Sequence, residues 1–321
     1  MIIVPEREIA GLISASDCFT AIEQVFASMA AKSAYNFPVI REAIGYADAL
    51  YGFKSGFDRK SLALGLKSGG FWPKNMEKGL TNHQSTVFLF DADTGRCRAA
   101  VGGNLLTALR TAAASAVSIK YLARPDSKVI GMIGAGHQST FQLRAALDQR
   151  PFEKVLGWNI VPEDLSRLEA VASEKGLPFE HVDLDRLGAE ADVIITITSS
   201  FAPILKAAQV RPGTHLACMG TDTKGKQEVE AELLGTATVF TDEIAQSISI
   251  GEAQHAINAG LLAVEDIIEI GAVVNGSHRG RTSVDEVTLY DGTGVGLQDL
   301  AVASAVVDLA IAKGVAIEVD F

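Results

Sequence analysis

At 321 residues, 48% of them hydrophobic and 21% charged, the chain is long and apolar enough for two domains or one large α/β unit. A formal charge of −11 argues against nucleic acid and anionic membrane as partners, because either needs a basic face. Cys18, Cys97 and Cys218 are odd in number and form no C-x-x-C pair, which reads as buried free thiols in a reducing cytoplasm; the six histidines lack metal-ligand spacing, so no metal is expected.

The opening MIIVPEREIAGLI lacks the basic start and sustained apolar core of a signal peptide and reads as a short strand followed by a helix. Residues 16–32 are helical in pattern, while 61–70 and 86–91 are β-rich, the latter closed by the turn Ala92-Asp93-Thr94-Gly95. Residues 105–122 carry the small, apolar periodicity of a buried helix. Two cations interrupt these apolar settings, Lys67 after Leu62-Ala63-Leu64-Gly65-Leu66 and Arg110 within the helix. A charge there is costly unless paired. Two readings stand: an anionic substrate, since arginine grips a carboxylate bidentately, or internal salt bridges with some of the 39 acids.

From Lys128 a regular alternation takes over. Strands are expected at 128–134, 154–160, 192–198, 214–220, 238–242 and from 287, with helices at 163–175 and 229–234 and a last apolar helix at 299–313. Such alternation predicts a parallel sheet covered on both faces, a doubly wound α/β fold. The longest apolar runs, such as 192–198, are strand-length and far short of a membrane span. The last helix needs a surface on which to bury itself, and packing back on the first domain is one economical solution.

Between the first two of these strands lies Gly134-x-Gly136-x-x-Ser139. Gly134 permits a tight turn, Gly136 lets a pyrophosphate approach the backbone, and the following helix offers unpaired N–H groups and a positive dipole end. Asn159 falls where a ribose-binding residue is expected. Asn can bond a 2′-hydroxyl, and no Arg follows at once, so NAD(H) is favoured over NADP(H). Residues 196–203 (TITSSFAP) follow a strand and either line the cofactor or form an ordinary Ser-rich turn. Asp222, after Met219-Gly220-Thr221, is either an acid or base beside the reacting group or a helix N-cap.

Read together, GGNLLTALRTAAASAVSIKYLARPDSKVIGMIGAGHQ, GTDTKGKQE and DGTGVGLQDLAVASAV resemble the ornithine cyclodeaminase/mu-crystallin family nearly end to end. The resemblance implies a homodimer. Each subunit would pair a Rossmann-type, NAD-binding domain (119–299) with a smaller α+β domain for substrate binding and dimerisation (1–118 with 300–321). It places substrate-carboxylate cations on Arg41, Lys67 and Arg110, and the acidic residue near the reacting carbon on Asp222; Lys67 and Asp222 are the expected catalytic pair. Dinucleotide-lining positions fall on Arg110, Thr111, Gly134, Ala135, Gly136, His137, Gln138, Asn159, Thr198, Ser199, Ser200, Met219 and Gly220.

The family is chemically divided among cyclodeaminases, cyclic ketimine reductases, alanine dehydrogenases, iminosuccinate reductases and hormone-binding mu-crystallins. The ornithine branch has a glutamate on the segment before the shared lysine. Here that segment is Tyr51-Gly52-Phe53-Lys54-Ser55-Gly56, with Lys54 near the position and no acid. A lysine repels ornithine's distal ammonium and attracts a second carboxylate, although a strand lysine also commonly points to solvent. The resemblance therefore implies NADH-dependent reduction of an α-imino acid, iminosuccinate to L-aspartate being the favoured case. Lys54 or His83 would hold the distal carboxylate, and the plainer role for His83 is a hydrogen bond within the fold.

Overall fold

The computed structural model describes residues 1–321 and divides into two units, Met1–Arg110 with Val295–Phe321 and Thr111–Gly294. The first contains strands Ile2–Val4 (β1), Ala34–Asn36 (β2), Ile40–Ala43 (β3), Leu50–Asp58 (β4), Ala63–Phe71 (β5), His83–Phe90 (β6) and Cys97–Gly102 (β7). Its helices are Glu6–Leu12 (α1), Ala15–Ala30 (α2) and the start of Asn104–Leu122 (α3). The chain returns to it through a C-terminal helix, Gly296–Ala312, and a short strand, Ile317–Glu318. The sheet runs C-terminal strand–β1–β7–β6–β5–β4–β2, with β3 also paired to β4. Local chemistry sets the helix starts. Ser14 and Asp17 form a capping box for α2, and both carboxylate oxygens of Glu6 accept the first N–H groups of α3, at Asn104 and Leu105.

One face of this sheet lies under the C-terminal helix. Gly56, Gly65, Val87 and Leu89 are buried there, with Leu297 and Leu300 packed on the sheet backbone. Each fully buried leucine or valine contributes about 1.5–3 kcal/mol. The helix begins at Gly296, where any Cβ would lie 2.6 Å from the Ser55 nitrogen, so only glycine lets it start so close to β4. The opposite face carries Tyr51, Phe53, Leu66 and Phe88, all partly or substantially exposed.

The second unit contains strands Val129–Ile133 (β8), Lys154–Trp158 (β9), Phe179–His181 (β10), Val193–Thr196 (β11), Phe201–Leu205 (β12), His215–Cys218 (β13), Gln227–Val229 (β14), Thr238–Thr241 (β15), Ile268–Glu269 (β16) and Thr288–Asp291 (β17). Helices Ser139–Leu147 (α4), Ser166–Glu174 (α5), Leu184–Glu190 (α6), Ala231–Thr236 (α7), Ile244–Ile250 (α8), Ala253–Asn258 (α9) and Ile270–Val274 (α10) lie between them. The main sheet has the order β10–β9–β8–β11–β13–β17–β15–β16, and every pairing is parallel. Strands covered on both faces read as unbroken apolar runs, which is why Val-Ile-Ile-Thr of β11 is wholly buried. The fold is α/β and doubly wound, with its switch point between β8 and β11.

Several expected boundaries move. The helix expected at 229–234 is β14 followed by α7, because Val229 ends a strand paired with β12. The 163–175 helix opens as a 3-10 turn at Pro162–Leu165, and the last helix starts three residues before Asp299. Cys18 and Cys218 are buried free thiols, whereas Cys97 is partly exposed. No single helix is long and apolar enough to cross a membrane.

Candidate active site

Register brings the cations of the first unit together. Arg41 on β3 stands opposite Gly52 of β4; two residues on, Lys54 stands opposite Lys67 of β5; His83 of β6 stands opposite Phe71 of β5. All four therefore share the face that carries the C-terminal helix. Lys54 and Lys67 are 9% and 6% exposed, so the solvent reading of Lys54 gives way to a buried one. From α3, Thr107 and Arg110 reach the same group: Lys67 Nζ lies 3.5 Å from Thr107 Oγ1, and Arg110 is 6% exposed.

The counter-charge comes from a residue the motifs did not single out. Asp299, fully buried on the C-terminal helix, has Lys67 Nζ 3.0 Å from Oδ1 and 2.9 Å from Oδ2, and accepts from Arg110 Nε at 3.1 Å. Its neighbour Gln298 accepts from Arg110 Nη1 at 2.9 Å. The internal salt bridge weighed for Lys67 and Arg110 thus exists, on the face that also carries Lys54 and Arg41. Burial pushes the Lys67 ammonium down to about 7, with Arg110 and Lys54 acting in the same direction and Asp299 against them. Burial alone would raise the Asp299 carboxyl, but Arg110 and Lys67 outweigh it and hold it below the ordinary range. Burial and the charges of Lys67 and Arg110 bring His83 down to about 3, so it is neutral near pH 7.

In the second unit the glycine turn follows β8 at the switch point, where doubly wound sheets take their ligands. Gly134 has φ +103°, and a Cβ there would lie 2.5 Å from the Ile197 carbonyl oxygen. Gly136 is different: a Cβ would meet nothing within 4 Å. The fold does not need that glycine, which leaves open backbone for an incoming phosphate group. Ser139 closes the turn by donating to the Gly136 carbonyl at 2.7 Å, and Asn159 Oδ1 accepts from Ala135 N at 3.2 Å. Asn159 is thus part of the turn's frame, and Nδ2 donates to the Val161 carbonyl at 2.7 Å. Beside them the side-chain oxygen of Gln138 is buried without a hydrogen-bond partner, an acceptor that a ribose hydroxyl could satisfy by donating to it. His137 is exposed with its ring against Phe141. These residues fit a dinucleotide.

The ends of β11 and β13 carry the other lining candidates. Thr198, Ser199 and Ser200 follow β11; Met219 and Gly220 follow β13 and are buried. Thr111, on α3, is 8% exposed. Asp222 caps no helix, since the next element is β14, so the N-cap reading falls. Its Oδ1 accepts from Lys226 Nζ at 2.9 Å and Thr223 Oγ1 at 3.2 Å, and Lys226 also donates to the Gly220 carbonyl at 3.1 Å. A partly exposed carboxylate anchored by lysine suits an electrostatic partner for a cationic nitrogen.

A model of the ornithine cyclodeaminase/mu-crystallin family matches residues 3–314. The chain is 67% identical over 320 residues to the iminosuccinate reductase of Paracoccus denitrificans, covering 100% of each. The crystal structure of that enzyme in complex with NAD+ has a TM-score of 0.97 at 66% identity, over 100% of this chain and 99% of that one. An archaeal alanine dehydrogenase dimer with bound NAD follows at TM-score 0.94 and 31% identity, over 100% and 99% of the two chains. The Thermococcus litoralis Δ1-pyrroline-2-carboxylate reductase in complex with NADH and L-proline has TM-score 0.94 and 27% identity, over 99% and 100%. The chain therefore belongs to the ornithine cyclodeaminase/mu-crystallin family.

Proposed function

We propose that this protein is an NADH-dependent imine reductase that converts iminosuccinate to L-aspartate. The observation that carries the reading is the basic face: Lys54, Lys67 and Arg110 are buried beside Asp299, Arg41 lies partly exposed on the same face, and His83 is neutral. A substrate with two carboxylates matches that concentration of cations. The full-length 67% identity to an iminosuccinate reductase supports the same substrate. Bound NADH supplies a hydride to the imine carbon, and a proton completes the amine.

In this reading Lys67 and Arg110 hold the carboxylate next to the imine carbon, with Arg41 at its edge, and so fix the face that is reduced. Lys54 holds the distal carboxylate. Asp222 keeps the role the family resemblance gives it, partner of the protonated imine nitrogen, with Lys67 sharing proton transfer. Gly134, Ala135, Gly136, Gln138 and Asn159 hold the dinucleotide, and Asn159 favours NAD(H).

The exposed aromatic sheet face of the first unit (Tyr51, Phe53, Phe88) supports a homodimer through a second copy, in keeping with the dimeric archaeal alanine dehydrogenase. The free thiols fit the cytoplasm. The deciding experiment follows NADH oxidation with iminosuccinate formed from oxaloacetate and ammonia, with 1-pyrroline-2-carboxylate and with pyruvate plus ammonia. Aspartate as the principal product sustains the proposal. Faster turnover of either monocarboxylate, or ornithine conversion to proline without net NADH change, would overturn it.

A further inference from the structure

One side chain joins the loops after β11 and β13, and neither the motifs nor the proposed chemistry uses it. Glu228, on β14 and fully buried, accepts through Oε1 from Thr198 N at 2.6 Å. Its Oε2 accepts from Gly220 N at 2.8 Å and from Thr196 Oγ1 at 2.6 Å. A Cβ on residue 220 would lie 2.5 Å from Glu228 Oε1, so glycine is what admits the carboxylate. Glu228 is itself fixed from behind: its own N–H and that of Val229 donate to Glu252 Oε1 at 2.8 and 2.9 Å, and Glu252 Oε2 is bonded to the Thr221 hydroxyl.

The donors identify which acid of this buried pair carries the charge. Two backbone N–H groups face Glu228 and can only donate, so both of its oxygens must accept. The Thr221 hydroxyl beside Glu252 can accept as well as donate. Burial and the neighbouring Glu228 raise Glu252 to about 8, which leaves the proton there near pH 7. An anionic carboxylate with donors from two separate loops fixes both loops at once, and removing charge or acceptor releases at least one.

We propose that Glu228 is a positioning residue for the nicotinamide end of the bound dinucleotide, acting through Thr198 and Gly220. The inference rests on the reading of those loops as cofactor-lining. Apart from Thr196 of β11, Glu228 tethers only Thr198 and Gly220, and the glycine turn keeps its own hydrogen bonds, so the two ends of the cofactor should respond differently to its loss.

The test is a pair of titrations, NADH and ADP-ribose, on the wild-type protein and on Glu228→Gln. Glutamine keeps the shape but sets an amide N–H₂ against a backbone N–H. A buried donor left unpaired corresponds to a loss of about tenfold or more in affinity. The expected result is NADH binding weakened about tenfold with ADP-ribose binding within about twofold of wild type. Unchanged NADH affinity, or equal weakening of both ligands, overturns the proposal. If the glutamine variant does not fold, Thr196→Val removes one donor with little change of shape, and the same two outcomes decide. Wild-type protein that takes up neither ligand would refute the dinucleotide reading itself, a separate failure from loss of the Glu228 effect.

Discussion

Asp299→Asn tests the basic cluster at its centre. Asparagine is nearly isosteric, keeps one acceptor and loses the charge that Lys67 Nζ meets at 2.9–3.0 Å and Arg110 Nε at 3.1 Å. At an effective dielectric near 20, each contact at about 3 Å represents roughly 5 kcal/mol before desolvation. Breaking one side of such a buried pair costs about 3–5 kcal/mol, because the surviving charges remain buried. Lys67 has a way to escape part of that cost. Its folded pKa, about 7, lies below the ordinary lysine value, so it lowers stability below pH 7 and the penalty is relieved as pH rises from about 7 toward 10.5. Asp299 opposes that depression. Without it the folded pKa falls further, and more of the penalty is felt at low pH. The variant should therefore melt roughly 5–10 °C below wild type at pH 6, with the gap narrowing by pH 9. Succinate, a dicarboxylate mimic, should bind more weakly at pH 7, since the variant presents a neutral amine. Thermal melts from pH 6 to 9 and calorimetric succinate titrations supply both readings. A melting gap that stays constant with pH, together with unchanged succinate affinity, would refute the reasoning.

Lys54→Ala should raise KM for iminosuccinate about tenfold or more, while 1-pyrroline-2-carboxylate, with no second carboxylate, changes little; steady-state kinetics showing the same KM for iminosuccinate would end the distal-carboxylate assignment. Gly136→Ala places a methyl where the protein has no atom within 4 Å, so its melting temperature should stay within about 2 °C of wild type while NADH binds at least about tenfold more weakly. Fluorescence titration finding wild-type NADH affinity would mean that no ligand approaches that backbone. The double change Tyr51→Lys and Phe53→Lys should yield a folded monomer in analytical ultracentrifugation, and a dimer that persists would place the interface elsewhere.

The second unit was legible because its signals are local. Parallel strands buried on both faces give contiguous apolar runs, and the turn between β8 and α4 carries its glycines in sequence. The first unit resists the same treatment. On β4 the aromatic residues Tyr51 and Phe53 alternate with Gly52 and Lys54, and the usual pattern rule would bury the aromatics. The structure buries the lysine side and leaves the aromatic side partly exposed, because the C-terminal helix covers the former. Asp299 was read only as the first residue of an apolar helix, where an acid is an ordinary complement to the dipole. Its partners are 189 and 232 residues away, a pairing that no local pattern encodes. Glu228 was hidden in the polar run after Asp222 for the same reason: its partners are the Thr196 hydroxyl of β11 and main-chain groups of two other loops.

Taken alone, a buried acid among cations proposed to bind an anion works against the site. Without it, Lys67 and Arg110 would repel one another in a low-dielectric setting, and Lys67 would shed its proton before any substrate arrived. One carboxylate shared by both fixes them and limits the loss of the Lys67 proton, so less ordering would remain to be done when a substrate carboxylate binds. Lys54 and Arg41 bring two further cations to the same face. In the proposed reading that set of cations is selective as well as attractive: the lysine opposite Lys67 would favour a second carboxylate and disfavour the distal ammonium of ornithine without a steric wall.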